Sequence, residues 1–465
     1  MISIILLILC VLVTTLIGWN VLFLLSGRKG LAGFSFLEQA GLSYLLGTGV
    51  ITVQMFIMSI IGIGYTRFSI FIPWVVVMMG TGLIIWRSGS KKPVPILAFP
   101  PRVWRPFELV LICLITLQTL YNFFRALIRP IEAHDAVAIY GIKSKMIYLA
   151  GGITGEFFTK LASNFHGAHP DYPLLVPLSE VWVYTFLGQF NDILVKAIFP
   201  LSYLAFLFVF YAVLKRITEK PCIALLFTFL LATVKQFADF ATIGVADLWL
   251  GIYFTIGILY LYLWFAEKKA GFLNISLLSI ILAVWTKNEG MLLALIAVII
   301  FLIYVAANFG KIKKQELAGV FAYPLLVILA IFSWSAFKHG LGLVNENFNF
   351  SMVNFGNLMS GLSKIPAILY EYQKQFFGPN RWNIIWILFF VVFVKEFKRV
   401  FSGDIKYVTL IFLLFALGYG SMYIFSTVGL GFFLTTTGSR FLLHILPVTV
   451  FWMALILDKH ELTRI

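Results

Sequence analysis

The chain has 465 residues, of which 61% are hydrophobic, 17% aromatic and only 12% charged, with a mean hydropathy of +0.97. That balance excludes a soluble globular domain and describes a helical membrane protein of many spans. The formal net charge of +15 fits cytoplasmic loops that collect Lys and Arg. With no basic groove carrying interleaved aromatics, it points to no nucleic-acid partner.

Taken in chain order, apolar segments at 2–25, 42–64, 69–86, 107–127, 191–214, 221–237, 247–265, 272–286, 290–308, 318–337, 382–395, 407–427 and 441–457 read as membrane spans, about thirteen crossings of an all-α polytopic protein. The first lacks a basic n-region and is too long for a signal-peptide core, so it is expected to be retained. A further apolar stretch, YPLLVPLSEVWVYTFLG at 172–188, is short and carries Pro173, Pro177 and Glu180. It is expected to lie in the interface or to re-enter rather than to cross. Cys10, Cys113 and Cys222 all fall in apolar segments without CxxC or Cys/His spacing, which points away from disulfides and zinc.

Basic residues set the orientation. Arg28 and Lys29, the stretch WRSGSKKPVPILAFPPRVWRPF, and KRITEK, EKK, KIKK and KEFKRVFSGDIK fall in alternate loops. Assigning those loops to the cytoplasm gives a consistent alternation if 172–188 does not cross. The N-terminus is then outside, and Glu132, His134, Asp135, His166, His169, Asp171, Asp239, Asp247, Lys287, Glu289, the loop 338–381 and Arg440 share the extracytoplasmic side. Two outer loops are long. In 128–171, Ile142, Met146 and Ile147 recur at helical spacing, as in an amphipathic interfacial helix; 338–381 reads as partly helical and closed by a Gly-Pro turn.

Several clusters on that face could carry chemistry. In EAHDA (132–136), ionisable residues at a membrane boundary cost free energy unless they pair or meet water, which makes Asp135 a functional candidate as well as a helix cap. NFHGAHPDYPLL supplies His166, His169 and Asp171, either as ligands or as a Pro-punctuated turn seating the next helix. Asp239 and Asp247 stand at the ends of successive spans, where a carboxylate can also cap a helix. Lys287 and Glu289, in WTKNEGMLL, are close enough to pair. Lys196 lies about one turn into a span with Asp192 four residues before it, so it can snorkel, pair or meet a lipid phosphate. Arg440 is expected at the mouth of the last span and His444 one turn deeper, in packing. No P-loop, HExxH, GxSxG or dinucleotide fingerprint is present.

Four segments, in this order, carry a family resemblance: EAHDAVAIYGIKSKMIYLAG, HPDYPLLVPLSEVWVYTFLG, GVADLWLGIYFTIGILYL and SRFLLHILPV. From about Phe107 to Leu457 the chain resembles the GT-C glycosyltransferases, in particular the protein O-mannosyltransferase and aminoarabinose-transferase group that uses polyprenyl-phosphate sugars. The resemblance implies a catalytic module over 107–465, preceded by about three additional spans in 1–106. It implies that Asp135 is the general base and Asp247 the second acidic position, both catalytic. Lys196, Lys287 and Arg440 fall to the donor phosphate, and Glu132, His134, His166, His169, Asp171 and Glu289 to substrate binding. The chain departs from the group in having Asp171 where relatives carry a second Pro or a Lys, and in its first three spans.

The implied reaction takes a sugar from a polyprenyl-phosphate donor to a lipid, glycan or protein acceptor outside the bacterial inner membrane, with inversion. No cofactor is required, and a divalent cation between two carboxylates is an alternative that the sequence leaves open. A lipid-linked saccharide flippase or transporter, which would place its charges near the midplane, and an O-antigen ligase or polymerase are the rival readings.

Overall fold

A computed structural model describes residues 1–87, 104–165, 167–343, 345, 350–426 and 428–458. Among them every regular element is a helix, and nine helices are long and apolar enough to cross a membrane. The protein is an all-α membrane protein with several candidate spans. The other four segments expected to cross appear as shorter apolar helices, with stretches Arg67–Leu83, Pro221–Ala232, Ala270–Thr286 and Ile385–Lys395.

The chain divides into two compact units. The first comprises Met1–Val213, Asp239–Ala246 and Lys269–Ile275. It contains α1 (Ile2–Leu31), α2 (Phe36–Ile60), α3 (Arg67–Arg87), α4 (Pro106–Leu127), α5 (Ile142–Ala150), α6 (Phe157–Asn164), α7 (Leu175–Leu187) and most of α8 (Ile198–Thr218). Helices α1 and α2 pack backbone to backbone. A Cβ on Gly18 would lie 1.7 Å from the Ser43 carbonyl oxygen, and one on Gly47 2.1 Å from that of Thr14. In lipid, where apolar side chains gain nothing by leaving solvent, such small-residue contacts are what bring helices together. Ser35 starts α2 with a reciprocal capping box to Glu38, and Gly41 brings α2 equally close to Ala205 of α8.

The 172–188 stretch, expected to lie in the interface or to re-enter, is a short helix packed within the protein. At thirteen residues α7 is roughly 20 Å long, less than the hydrocarbon thickness. Helices α1, α2 and α5 enclose it, and Leu175 through Tyr184 are all buried. Trp182 donates to the Thr14 hydroxyl at 2.9 Å. The expected amphipathic helix of the first long loop is also present, with a different face inward. A π-helical turn over Ala136–Gly141 leads into α5, and Ile139, Tyr140, Lys143, Ser144 and Ile147 are buried against the protein.

The second unit comprises Leu214–Ala238, Asp247–Lys268 and Ser276–Ile465. Its helices are α9 (Pro221–Ala232), α10 (Lys235–Phe240, shared with the first unit), α11 (Asp247–Glu267), α12 (Ala270–Thr286, whose start belongs to the first), α13 (Glu289–Ala307), α14 (Leu317–Gly340), α15 (Phe355–Leu362), α16 (Ile365–Phe377), α17 (Pro379–Trp382), α18 (Ile385–Lys395), α19 (Phe397–Val400), α20 (Ile405–Phe425) and α21 (Leu430–Leu457). The hydrophobic window of α11 is completely buried, and most of that of α21 is. Both are apolar all round, the pattern of a helix with protein on every side. They meet where Gly251 presses on Leu443 and His444. The loop 338–381 contributes α15 and α16, and Gly361 seats α15 on the Ile424 backbone of α20.

Candidate functional site

In the second unit, four expected site residues come together. Asp247 is the first residue of α11 and has no exposed surface. Its Oδ1 accepts from Lys287 Nζ at 2.9 Å and from His444 Nε2 at 3.1 Å, while Arg440 stands 4.0 Å from Oδ2. Lys287 also pairs with Glu289 Oε1 at 2.9 Å, the pairing expected across the tight α12–α13 turn. The chain gathers these groups because α11 and α13 each begin at an acidic residue, and α21 passes alongside with Arg440 and His444 one turn apart. Two carboxylates thus face one ammonium and one guanidinium, which offsets their desolvation.

His444 was expected in packing alone. With Nε2–H donating to Asp247, its Nδ1 accepts the Tyr419 hydroxyl at 2.9 Å, a single neutral tautomer that satisfies both bonds. The i, i+4 spacing of Arg440 and His444 was the signal in the sequence; that both would turn to one carboxylate was not. Oδ2 of Asp247 and Oε2 of Glu289 are buried and have no hydrogen-bond partner among the described residues. Each of these two buried acceptors keeps capacity for a further hydrogen bond beside the cations of the cluster.

In the first unit, the EAHDA segment begins at Glu132, five residues after the end of α4 at Leu127. The helix begins at His134, so Asp135 lies in its first turn, makes no side-chain cap bond, and precedes the widened π turn. Such single π turns recur at functional sites. The Asp135 side chain is 22% exposed and His134, at 3.2 Å, is 91% exposed. Glu132 is exposed and pairs with Arg129. Asp239 forms an ion pair with Arg125 of α4.

Lys196 is buried in a 3-10 turn before α8, and its Nζ donates to the carbonyls of Arg129 and Pro130 at 3.1 and 3.2 Å. It clasps the backbone that leads to Asp135. The i, i+4 ion pair expected with Asp192 is not formed among the described residues: Asp192 lies in the turn before the 3-10 residues Leu194–Ala197, so no helix runs from one residue to the other. His169 adopts φ 47°, stacks on Tyr172 and lies 3.8 Å from Asp171, whose side chain is 2% exposed. His166 lies outside the described residues. Lys143, which the sequence did not single out, is fully buried and donates to the His169 carbonyl at 2.6 Å. Burial pushes its ammonium down from the ordinary 10.5 to about 7, against the pull of Asp171.

No protein-family model matches the chain, and no curated protein or solved structure is significantly similar to it.

Among the described residues no three His, Cys, Asp or Glu side chains are grouped to hold a metal ion. Asp247 is a poor ligand for a divalent cation on chemical grounds: its close polar neighbours are a lysine, a histidine and an arginine, and a second cation there would meet like charge.

Proposed function

We propose that the protein is a membrane glycosyltransferase of the GT-C type, which moves a sugar from a polyprenyl-phosphate donor to an acceptor on the extracytoplasmic face of a bacterial inner membrane. The observation that carries this reading is the placement of Asp135. It is a part-exposed carboxylate eight residues beyond the end of a candidate span at Leu127, and the backbone leading to it is held at Arg129 and Pro130 by Lys196. A general base needs this combination of access and a held backbone.

In this reading Asp135 takes the proton of the acceptor hydroxyl. The acceptor oxygen forms a bond to the anomeric carbon as the carbon–oxygen bond to phosphate breaks, with inversion, and the lipid phosphate leaves with the electron pair. A phosphate leaving group needs cationic stabilisation more than a proton. Of the cations that the resemblance assigns to it, Lys196 is engaged with two carbonyls and Lys287 with two carboxylates. Arg440 keeps the most side-chain exposure of the three, 28%, and is the cation this reading assigns to the phosphate. Asp247, fully buried, serves as a positioning residue for Lys287 and Arg440 rather than as a second base.

The test is transfer of radiolabelled sugar from a panel of polyprenyl-phosphate donors to membrane acceptors, with purified wild type and D135N compared. Wild type should transfer and D135N should lose on the order of 100- to 10,000-fold. A D135N protein as active as wild type would remove the base assigned here. Donor movement across liposomes without transfer would favour the flippase reading.

A further inference from the structure

The first unit also holds a cleft of about 390 Å³, lined by the α2–α3 turn and the start of α3 (Tyr65 to Phe68), the end of α5 (Tyr148, Gly151) and the C-terminal half of α7 (Val181, Thr185, Gly188). Its walls are tied together: Tyr65 N–H donates to the Gly151 carbonyl at 2.8 Å, and the Tyr65 hydroxyl to that of Met55 at 2.6 Å. Its one charged lining residue is Arg67. The Arg67 Nε donates to the Thr185 carbonyl at 3.3 Å, and the guanidinium lies 5.9 Å from the Phe186 ring centroid. No carboxylate pairs with it among the described residues, and its two terminal nitrogens have no protein acceptor there. Gly188, in the left-handed region at φ 73°, keeps room for it; a Cβ there would meet Arg67 NH2 at 2.9 Å.

Below the cleft, α3 presents an unbroken apolar stripe. Phe68, Ile72, Val76, Met79 and Leu83, spaced four, four, three and four apart, are 74%, 55%, 65%, 66% and 54% exposed. Helical periodicity places them on one face. A guanidinium without an acid at the head of a lipid-facing stripe is the complement of an amphiphile whose anionic group leads an apolar chain.

We propose that this cleft binds the head-group phosphate of an acidic membrane lipid, with Arg67 on the phosphate and the lipid chain along the α3 stripe. A single cation matches a singly charged head group, and the stripe supplies contact that inorganic phosphate could not use. The site is independent of the transferase reading, because it contains none of the residues on which that reading rests.

The test uses full-length protein in detergent and a photoactivatable phosphatidylglycerol, with crosslinks to the α3 peptide read by mass spectrometry. Wild type should crosslink within Phe68–Leu83. Arg67→Gln should cut the yield about tenfold, the loss of one charge-assisted contact. Thr185→Glu, which keeps Arg67 but places a carboxylate in the cleft, should do the same and decides the matter if the first variant does not fold. Unlabelled phosphatidylglycerol should compete, whereas phosphatidylcholine and inorganic phosphate should not. Undiminished crosslinking in Thr185→Glu or in a folded Arg67→Gln protein, or equal competition by phosphatidylcholine or inorganic phosphate, would overturn the proposal.

Discussion

Lys143 shows what burial does to a residue that looks ordinary in the sequence. In GIKSK it reads as one of two lysines on a loop helix, yet Lys143 is sealed and Lys145 is exposed. With its folded pKa at about 7 and the ordinary value at 10.5, the unfolded chain binds the extra proton between those limits, so stability should rise with pH across that window and be flat below it. Wild-type protein in detergent is therefore expected to melt higher at pH 9 than at pH 7, and Lys143→Met should remove most of the difference. An unchanged slope in the variant would assign the pH dependence to another group. The same contrast separates Asp135 from Asp247. Both precede apolar helical runs, but one keeps water contact and the other lies among Lys287, His444 and Arg440.

At the scale of elements, glycine decides more than hydropathy does. Gly47 and Gly82 both sit in apolar helices, and only the first touches another backbone; nothing lies within 4 Å of a Cβ added at Gly82. Gly82→Ala should be neutral or stabilising by up to about 1 kcal/mol, because alanine loses less entropy in a helix. Gly47→Ala should instead destabilise by about 1–3 kcal/mol as α1 and α2 are forced apart. Thermal unfolding of the two variants in the same detergent distinguishes a packing contact from a helix-propensity effect; equal shifts would mean that the close approach carries no stability. Helix α7 teaches a related lesson. Its length and its prolines argue against a crossing, but its enclosure by α1, α2 and α5, with Trp182 bonded to Thr14, comes from segments distant in sequence.

At the scale of the whole molecule, the orientation inferred from Lys and Arg places His134 outside and the KIKK loop inside. Both His134 and Lys313 are exposed. In a background with Cys10, Cys113 and Cys222 replaced by Ala, a cysteine at position 134 should react with a membrane-impermeant maleimide on intact cells. One at position 313 should react only after permeabilisation. The reverse pattern would invert the topology and move the proposed transfer to the cytoplasm.

The sequence by itself determined the class of structure. Bilayer thickness imposes a length and an apolarity on any spanning helix, and both are local quantities; the nine long helices follow from them. It also placed Lys287 and Glu289, two residues apart across one turn, close enough to pair. What only the tertiary structure decided is how each ionisable group is used. Asp247, His444 and Tyr419 meet because α11, α20 and α21 cross, and Lys196 binds carbonyls 66 and 67 residues earlier. Arg67, unremarkable at the start of α3, acquires a cleft from the end of α5 and the C-terminal half of α7. Hydrogen bonds and ion pairs depend on separations of a few ångströms between segments distant in the chain, and no local pattern encodes such distances.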